Sequence, residues 1–150
     1  MKATAAILIL LCTCLAGCYR TVQAGQACVD HAGREIGLYL KTVDSALPPK
    51  EQIVSVDEWM GCDTAGKGAA VDITVSSELK ASDLMTMLQK AGWSAEDPVE
   101  RRDGIRMTKK AGTRVVEVRI RELSAEDAAP YQSEGTLLSV GAGDDCWDNC

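Results

Sequence analysis

The chain has 150 residues, of which 25% are charged, and its formal net charge at pH 7 is −6. This acidity, with no run of lysine or arginine, argues against a nucleic-acid partner and against binding of the protein itself to an anionic membrane surface. A chain of this length is large enough to bury the core of one domain.

The first 17 residues have the pattern of a secretory signal peptide. Lys2 precedes an apolar segment, Ala3 to Leu15, that is shorter than the roughly 20 apolar residues a membrane-spanning helix needs. Small residues follow this segment and end at Cys18. We therefore predict that residues 1–17 are removed, which leaves 133 of the 150 residues.

The end of this segment, Leu15-Ala16-Gly17-Cys18, resembles the lipobox of bacterial lipoproteins. The resemblance implies cleavage after Gly17, a lipid on the Cys18 sulfur and acylation of the new amino terminus. A thiol is a strong nucleophile at neutral pH, and two or more acyl chains give a stable anchor. The alternative is an ordinary signal peptide in which Cys18 has no such role.

The residue after Cys18 bears on the membrane that the anchor would enter. In Gram-negative lipoproteins an aspartate at this position marks retention in the inner membrane, whereas this chain has Tyr19. The resemblance therefore implies the outer membrane of a Gram-negative cell, or the outer face of the plasma membrane of a Gram-positive cell. Either location is extracytoplasmic and lipid-anchored.

Four further cysteines follow the lipobox: Cys28, Cys62, Cys146 and Cys150. In an exported chain an even set of this kind predicts two disulfides, and four cysteines allow three pairings. We favour the pairings in which Cys28 and Cys62 each join one of the two C-terminal cysteines, and a local Cys146–Cys150 link stays open. The spacing is a poor zinc pattern, so we predict no metal and no other cofactor.

We expect a lipidated cysteine and tether at residues 18–26 and one domain over residues 27–150. A helix is predicted from about Ala27 to the stop at Pro48-Pro49. Its apolar stripe contains Ala32, Ile36, Leu40 and Val43. Gly33 and Gly37 interrupt this helix, and we expect them to let it approach another element closely.

Alternating residues predict a strand over Gln52–Cys62 and a second through Val71, Ile73 and Val75, which together form a hairpin. The next helix is predicted at Ala81–Ala91, with Leu84, Leu88 and Ala91 on one face and Met85 and Met87 beside it. Ser82 or Asp83 is expected to cap its start and Gly92 to end it, with Trp93 folding back.

Three more strands are predicted, at Gly104–Lys110, Thr113–Leu123 and Gly135–Gly143, with a hairpin turn at Ala111-Gly112 between the first two. The element order α-β-β-α-β-β-β predicts an α+β two-layer sandwich with a mainly antiparallel sheet and two helices. Because the chain has no phenylalanine, we expect Trp59 and Trp93 to help fill the core.

This order of elements resembles that of small actinobacterial lipoproteins of unknown function. The residues that carry the likeness are Gly61-Cys62 after the first strand, Gly92-Trp93 after the second helix and Cys150 at the C-terminus. The resemblance spans most of the chain after residue 17 and implies no activity.

Few residues point to catalysis. His31 is the single histidine of the chain, and the serines lie in no nucleophile motif. Residues 65–68 lack the spacing of a phosphate-binding loop, and the acidic cluster at residues 144–149 lacks that of a calcium loop. We therefore predict no enzymatic activity and interpret these segments as a turn and an acidic tail.

One charged surface suggests a role. Arg106, Arg119 and Arg121 are expected on one sheet face with Glu117, away from the apolar residues of the same strands. If no helix covers it, this face is the best candidate for binding an envelope protein. The alternatives are a small-ligand carrier with an apolar pocket between helices and sheet, and an envelope enzyme of unrecognised type.

Overall fold

Two helices and six strands form the described part of the chain. The computed structural model describes residues 25–62, 68–95, 104–124 and 135–143. The helices are α1 (residues 25–43) and α2 (Ala81–Lys90), and two 3-10 helices follow α1 at Asp44–Ala46 and Lys50–Gln52. The strands are β1 (Ile53–Trp59), β2 (Ala70–Ser76), β3 (Ser94–Ala95), β4 (Ile105–Ala111), β5 (Arg114–Leu123) and β6 (Gly135–Ala142).

The predicted α+β class and the order of the elements are confirmed. To the predicted elements, the described residues add the two-residue strand β3 between α2 and β4 and the two 3-10 helices after α1. Residues 25 and 26, which were expected to belong to the tether, lie in helix α1. The turn of the β4–β5 hairpin lies at Gly112-Thr113, one residue later than predicted, because Ala111 pairs with Arg114. Gly112 has the positive φ of +66° that such short turns require.

All neighbouring strands of the sheet are antiparallel, in the order β1-β2-β6-β5-β4-β3. After the β1–β2 hairpin, the chain passes through α2 to the opposite edge of the sheet. It then returns strand by strand, so that β6 fills the gap between β2 and β5. Strands β1 and β3 are therefore the edges, and β6 is paired along both sides.

Both helices pack on the same face of the sheet. Nine strand residues of this face are at most 1% exposed: Val71, Ile73, Val75, Met107, Val116, Val118, Ile120, Leu138 and Val140. The helices contribute Ala32, Ile36, Val43, Leu84 and Leu88 to the same core. Trp93 is buried as predicted, but the prediction for Trp59 is wrong, since its side chain is 56% exposed. Trp59 lies on an edge strand and faces away from the helices.

Helix α1 is fastened to the sheet by a buried ion pair. The Glu35 carboxylate accepts a hydrogen bond from Arg114 Nη1 on β5 at 2.8 Å and another from the Tyr39 hydroxyl at 2.8 Å. Gly33 and Gly37 lie on the exposed side of the helix, where an added Cβ would meet nothing within 4 Å. The expectation that they allow a close approach is therefore wrong.

Helix α2 begins differently from the prediction and ends as predicted. Its N-cap is Lys80 and no side chain of the helix caps it, whereas the Glu122 carboxylate on β5 accepts a hydrogen bond from the Ala81 N–H at 3.3 Å. At the other end, Gly92 has a φ of +85°, and the Trp93 N–H donates to the Leu88 carbonyl at 3.0 Å. This is the left-handed helix end that the Gly-Trp pair predicts.

Candidate functional site

The register of β4 and β5 places the predicted arginines on one face. Successive side chains of a strand point to opposite faces, so Glu117 and Arg119 point away from the core residues Val116 and Val118. Arg106 on β4 lies directly opposite Arg119 on β5. We call this side of the sheet the helix-free face, because both described helices pack on the other side.

Glu117 lies at the centre of a small ion-pair network. Its carboxylate contacts Arg106 Nε at 3.4 Å and accepts a hydrogen bond from Arg119 Nε. The Glu117 side chain is only 11% exposed, whereas those of Arg106 and Arg119 are 33% and 53% exposed. The carboxylate therefore holds two guanidinium groups in place while leaving part of each in contact with solvent.

The helix-free face carries more positive than negative charge over β4 and β5. Lys110 and Arg121 are exposed there, and together with Arg106 and Arg119 they form what we call the basic patch. Glu117 is the one acidic side chain of these two strands on this face. Lys110 was not singled out from the sequence, although it continues the alternation from Arg106 along β4.

The same face has a buried part beside the basic patch. Thr74 on β2, Leu123 on β5 and Leu137 on β6 all point to this side and are at most 6% exposed. No hydrogen-bond partner of the Thr74 hydroxyl is found in the part of the chain that the structure describes. The exposed surface of this face therefore includes the basic patch and, across the sheet on β1, the side chains of Asp57 and Trp59.

A disulfide joins Cys28 in the first turns of α1 to Cys62 just after β1, with the Cα atoms 5.9 Å apart. The favoured pairing of these two cysteines with the C-terminal pair is therefore wrong. The fold brings residues 34 positions apart into bonding range, which spacing alone does not reveal. Cys18, Cys146 and Cys150 lie outside the described residues.

Of the other candidates considered from the sequence, His31 is among the described residues, whereas the two candidate loop segments lie mostly outside them. His31 lies on α1 and is half-buried. Residues 144–149 and most of the 65–68 segment lie outside the described residues. Within the described ranges, no three histidine, cysteine, aspartate or glutamate residues are placed to hold a metal ion.

Comparison with protein-family models, curated proteins and solved structures found no match for this chain. Neither helix in the described ranges combines the length and the apolar character needed to cross a bilayer.

Proposed function

We propose that this chain is a lipid-anchored protein of the cell envelope that binds an acidic partner protein through the basic patch and has no enzymatic activity of its own. The single observation that carries the proposal is the ion-pair network around Glu117 on the helix-free face. The anchor is the lipid on Cys18 that the lipobox implies.

The disulfide supports the extracytoplasmic location. Bonds of this kind persist in oxidising compartments and are rare in the cytosol. Cys28 and Cys62 lie within the described domain and form such a bond. This supports a signal peptide that directs the chain out of the cytoplasm.

The charge of the patch supports an acidic partner. On the helix-free face, β4 and β5 carry four basic side chains and one carboxylate, in a chain whose formal net charge is −6. A partner that is acidic where it docks would be attracted to this patch and repelled by much of the remaining surface. Arginine is also enriched at protein interfaces, and the contacts with Glu117 reduce the ordering that binding requires.

The experiment is cross-linking in living cells, with tagged wild-type protein and two charge-reversal variants. Lys110→Glu/Arg121→Glu reverses the charge of the two patch residues that are not part of the Glu117 network and leaves Arg106, Arg119 and Glu117 unchanged. Arg34→Glu/Lys41→Glu changes the net charge equally on exposed positions of α1. We expect one abundant partner, lost from the first variant and kept by the second. A partner captured equally by all three proteins would contradict the proposed surface.

A further inference from the structure

The exposed hydrophobic residues of the described chain are concentrated in two segments. Five large apolar side chains are more than a third exposed there: Val29, Val54, Val56, Trp59 and Met60. One lies in the first turns of α1, and the other four lie on β1 or directly after it. The rest of the described surface contains no large hydrophobic residue of this exposure.

The disulfide brings the ends of these two segments together. Val29 follows Cys28 directly, and Met60 lies two residues before Cys62, while the two cysteine Cα atoms are 5.9 Å apart. Val29, Trp59 and Met60 therefore lie at the same end of the domain. We call these three residues the apolar tip.

The apolar tip lies at the end of the domain to which the anchor leads. Six residues separate Cys18 from Gly25, the first described residue of α1. A chain of this length, even fully extended, spans at most about 25 Å. A lipid on Cys18 would therefore keep the apolar tip close to the bilayer surface.

We propose that the apolar tip rests in the interfacial layer of the membrane that holds the Cys18 lipid, with Trp59 among the headgroups. Tryptophan is enriched at this depth, because its ring combines an apolar body with a polar N–H. The acidic residues Asp30 and Glu58 lie beside the tip and disfavour an anionic surface, so the contact is with uncharged lipid. The inference rests on the lipid anchor of the proposed function.

The test is the quenching of tryptophan fluorescence by brominated lipids, with the full lipidated protein in phosphatidylcholine vesicles. Trp93 is 3% exposed and lies in the core, so bromine in the bilayer cannot reach it. All proteins carry Trp147→Phe, so that Trp59 and Trp93 are the two remaining tryptophans. We expect emission to be quenched when Trp59 is present and most of the quenching to disappear when Trp59→Phe is added. Circular dichroism checks that each variant folds.

Flotation of the same vesicles separates the two proposals. Protein that floats with the vesicles, but whose quenching is the same with and without Trp59, overturns the contact of the tip and leaves the anchor standing. Wild-type protein that does not float overturns the anchor itself, and with it the inference. A Cys18→Ala variant that stays in the soluble fraction confirms that flotation depends on the lipid.

Discussion

Arg106 and Arg119 lie directly opposite each other on β4 and β5, and both guanidinium groups contact the carboxylate of Glu117. Like charges placed opposite each other in an antiparallel pair destabilise it. Glu117 is 11% exposed and therefore offsets this repulsion in surroundings that are partly shielded from solvent. The patch proposed for binding thus depends on this carboxylate for its stability.

Replacing Glu117 with glutamine tests this dependence. We expect Glu117→Gln to lower the free energy of unfolding by about 1 kcal/mol, since a neutral amide leaves the two arginines opposed, while their exposure limits the effect. Urea denaturation measures the change. Glu78→Gln, at an exposed position outside the patch, is the matched control and should leave stability unchanged. Equal stability of the two variants would show that solvent alone screens the arginines.

The candidate site could be predicted from the sequence because it depends on local alternation. Glu117, Arg119 and Arg121 occupy every second position of β5, so one face of that strand had to carry all three. The pairing of Arg106 with Arg119 could not be predicted, because the turn at Ala111-Gly112 expected from the sequence would place Arg106 opposite Glu117. Local periodicity also predicts the core residues of two elements. Helical spacing predicts burial of Leu84 and Leu88 on α2, and alternation predicts burial of Val116, Val118 and Ile120 on β5.

Long-range relationships could not be predicted in this way. The insertion of β6 between β2 and β5, the cap that Glu122 provides for α2 and the Cys28–Cys62 bond all join residues far apart in sequence. None leaves a periodic signal. The exposure of Trp59 belongs to the same group, because it depends on β1 being an edge strand.

The glycines of α1 provide a second prediction. Because an added Cβ at Gly33 or Gly37 meets open space, Gly33→Ala and Gly37→Ala should each raise the free energy of unfolding by about 0.5–1 kcal/mol. Gly92 is equally open, but its φ of +85° makes an L side chain strained, so Gly92→Ala should lower stability by about 1 kcal/mol. Urea denaturation compares the three. A gain of stability in Gly92→Ala would contradict the assignment of a left-handed helix end.

Gly135 at the start of β6 allows the close approach of β2. An added Cβ would lie 2.2 Å from the Val75 carbonyl oxygen, so Gly135→Ala should separate the two strands locally and lower stability by about 2 kcal/mol. Gly141 on the same strand meets only the Ala69 carbonyl oxygen at 3.9 Å, so Gly141→Ala is the matched control. Thermal unfolding of both variants tests the prediction, which fails if they unfold at the same temperature.

The buried pair of Glu35 and Arg114 should be strongly coupled. Their side chains are 9% and 13% exposed, so Arg114→Met leaves a buried carboxylate without its cation and should lower stability by about 3 kcal/mol. Replacing Glu35 with methionine as well removes the unpaired charge, and the double variant should be more stable than Arg114→Met alone. A double-mutant cycle in urea measures the coupling. Purely additive effects would show that the pair contributes no coupling energy.

The disulfide between Cys28 and Cys62 should be the largest single contribution to stability among these predictions. It closes a loop with a sequence separation of 34, for which the chain-entropy model gives about 4 kcal/mol. Peptide mapping without reduction should recover the two cysteines in one linked peptide pair, and Cys28→Ala/Cys62→Ala should unfold at lower urea concentration by a corresponding amount. Since the apolar tip depends on this bond, the same variant should also weaken quenching of Trp59 by brominated lipids while the protein still floats with the vesicles. Linked peptides that join either cysteine to Cys146 or Cys150 would contradict both expectations, because the first turns of α1 would then be free of the end of β1.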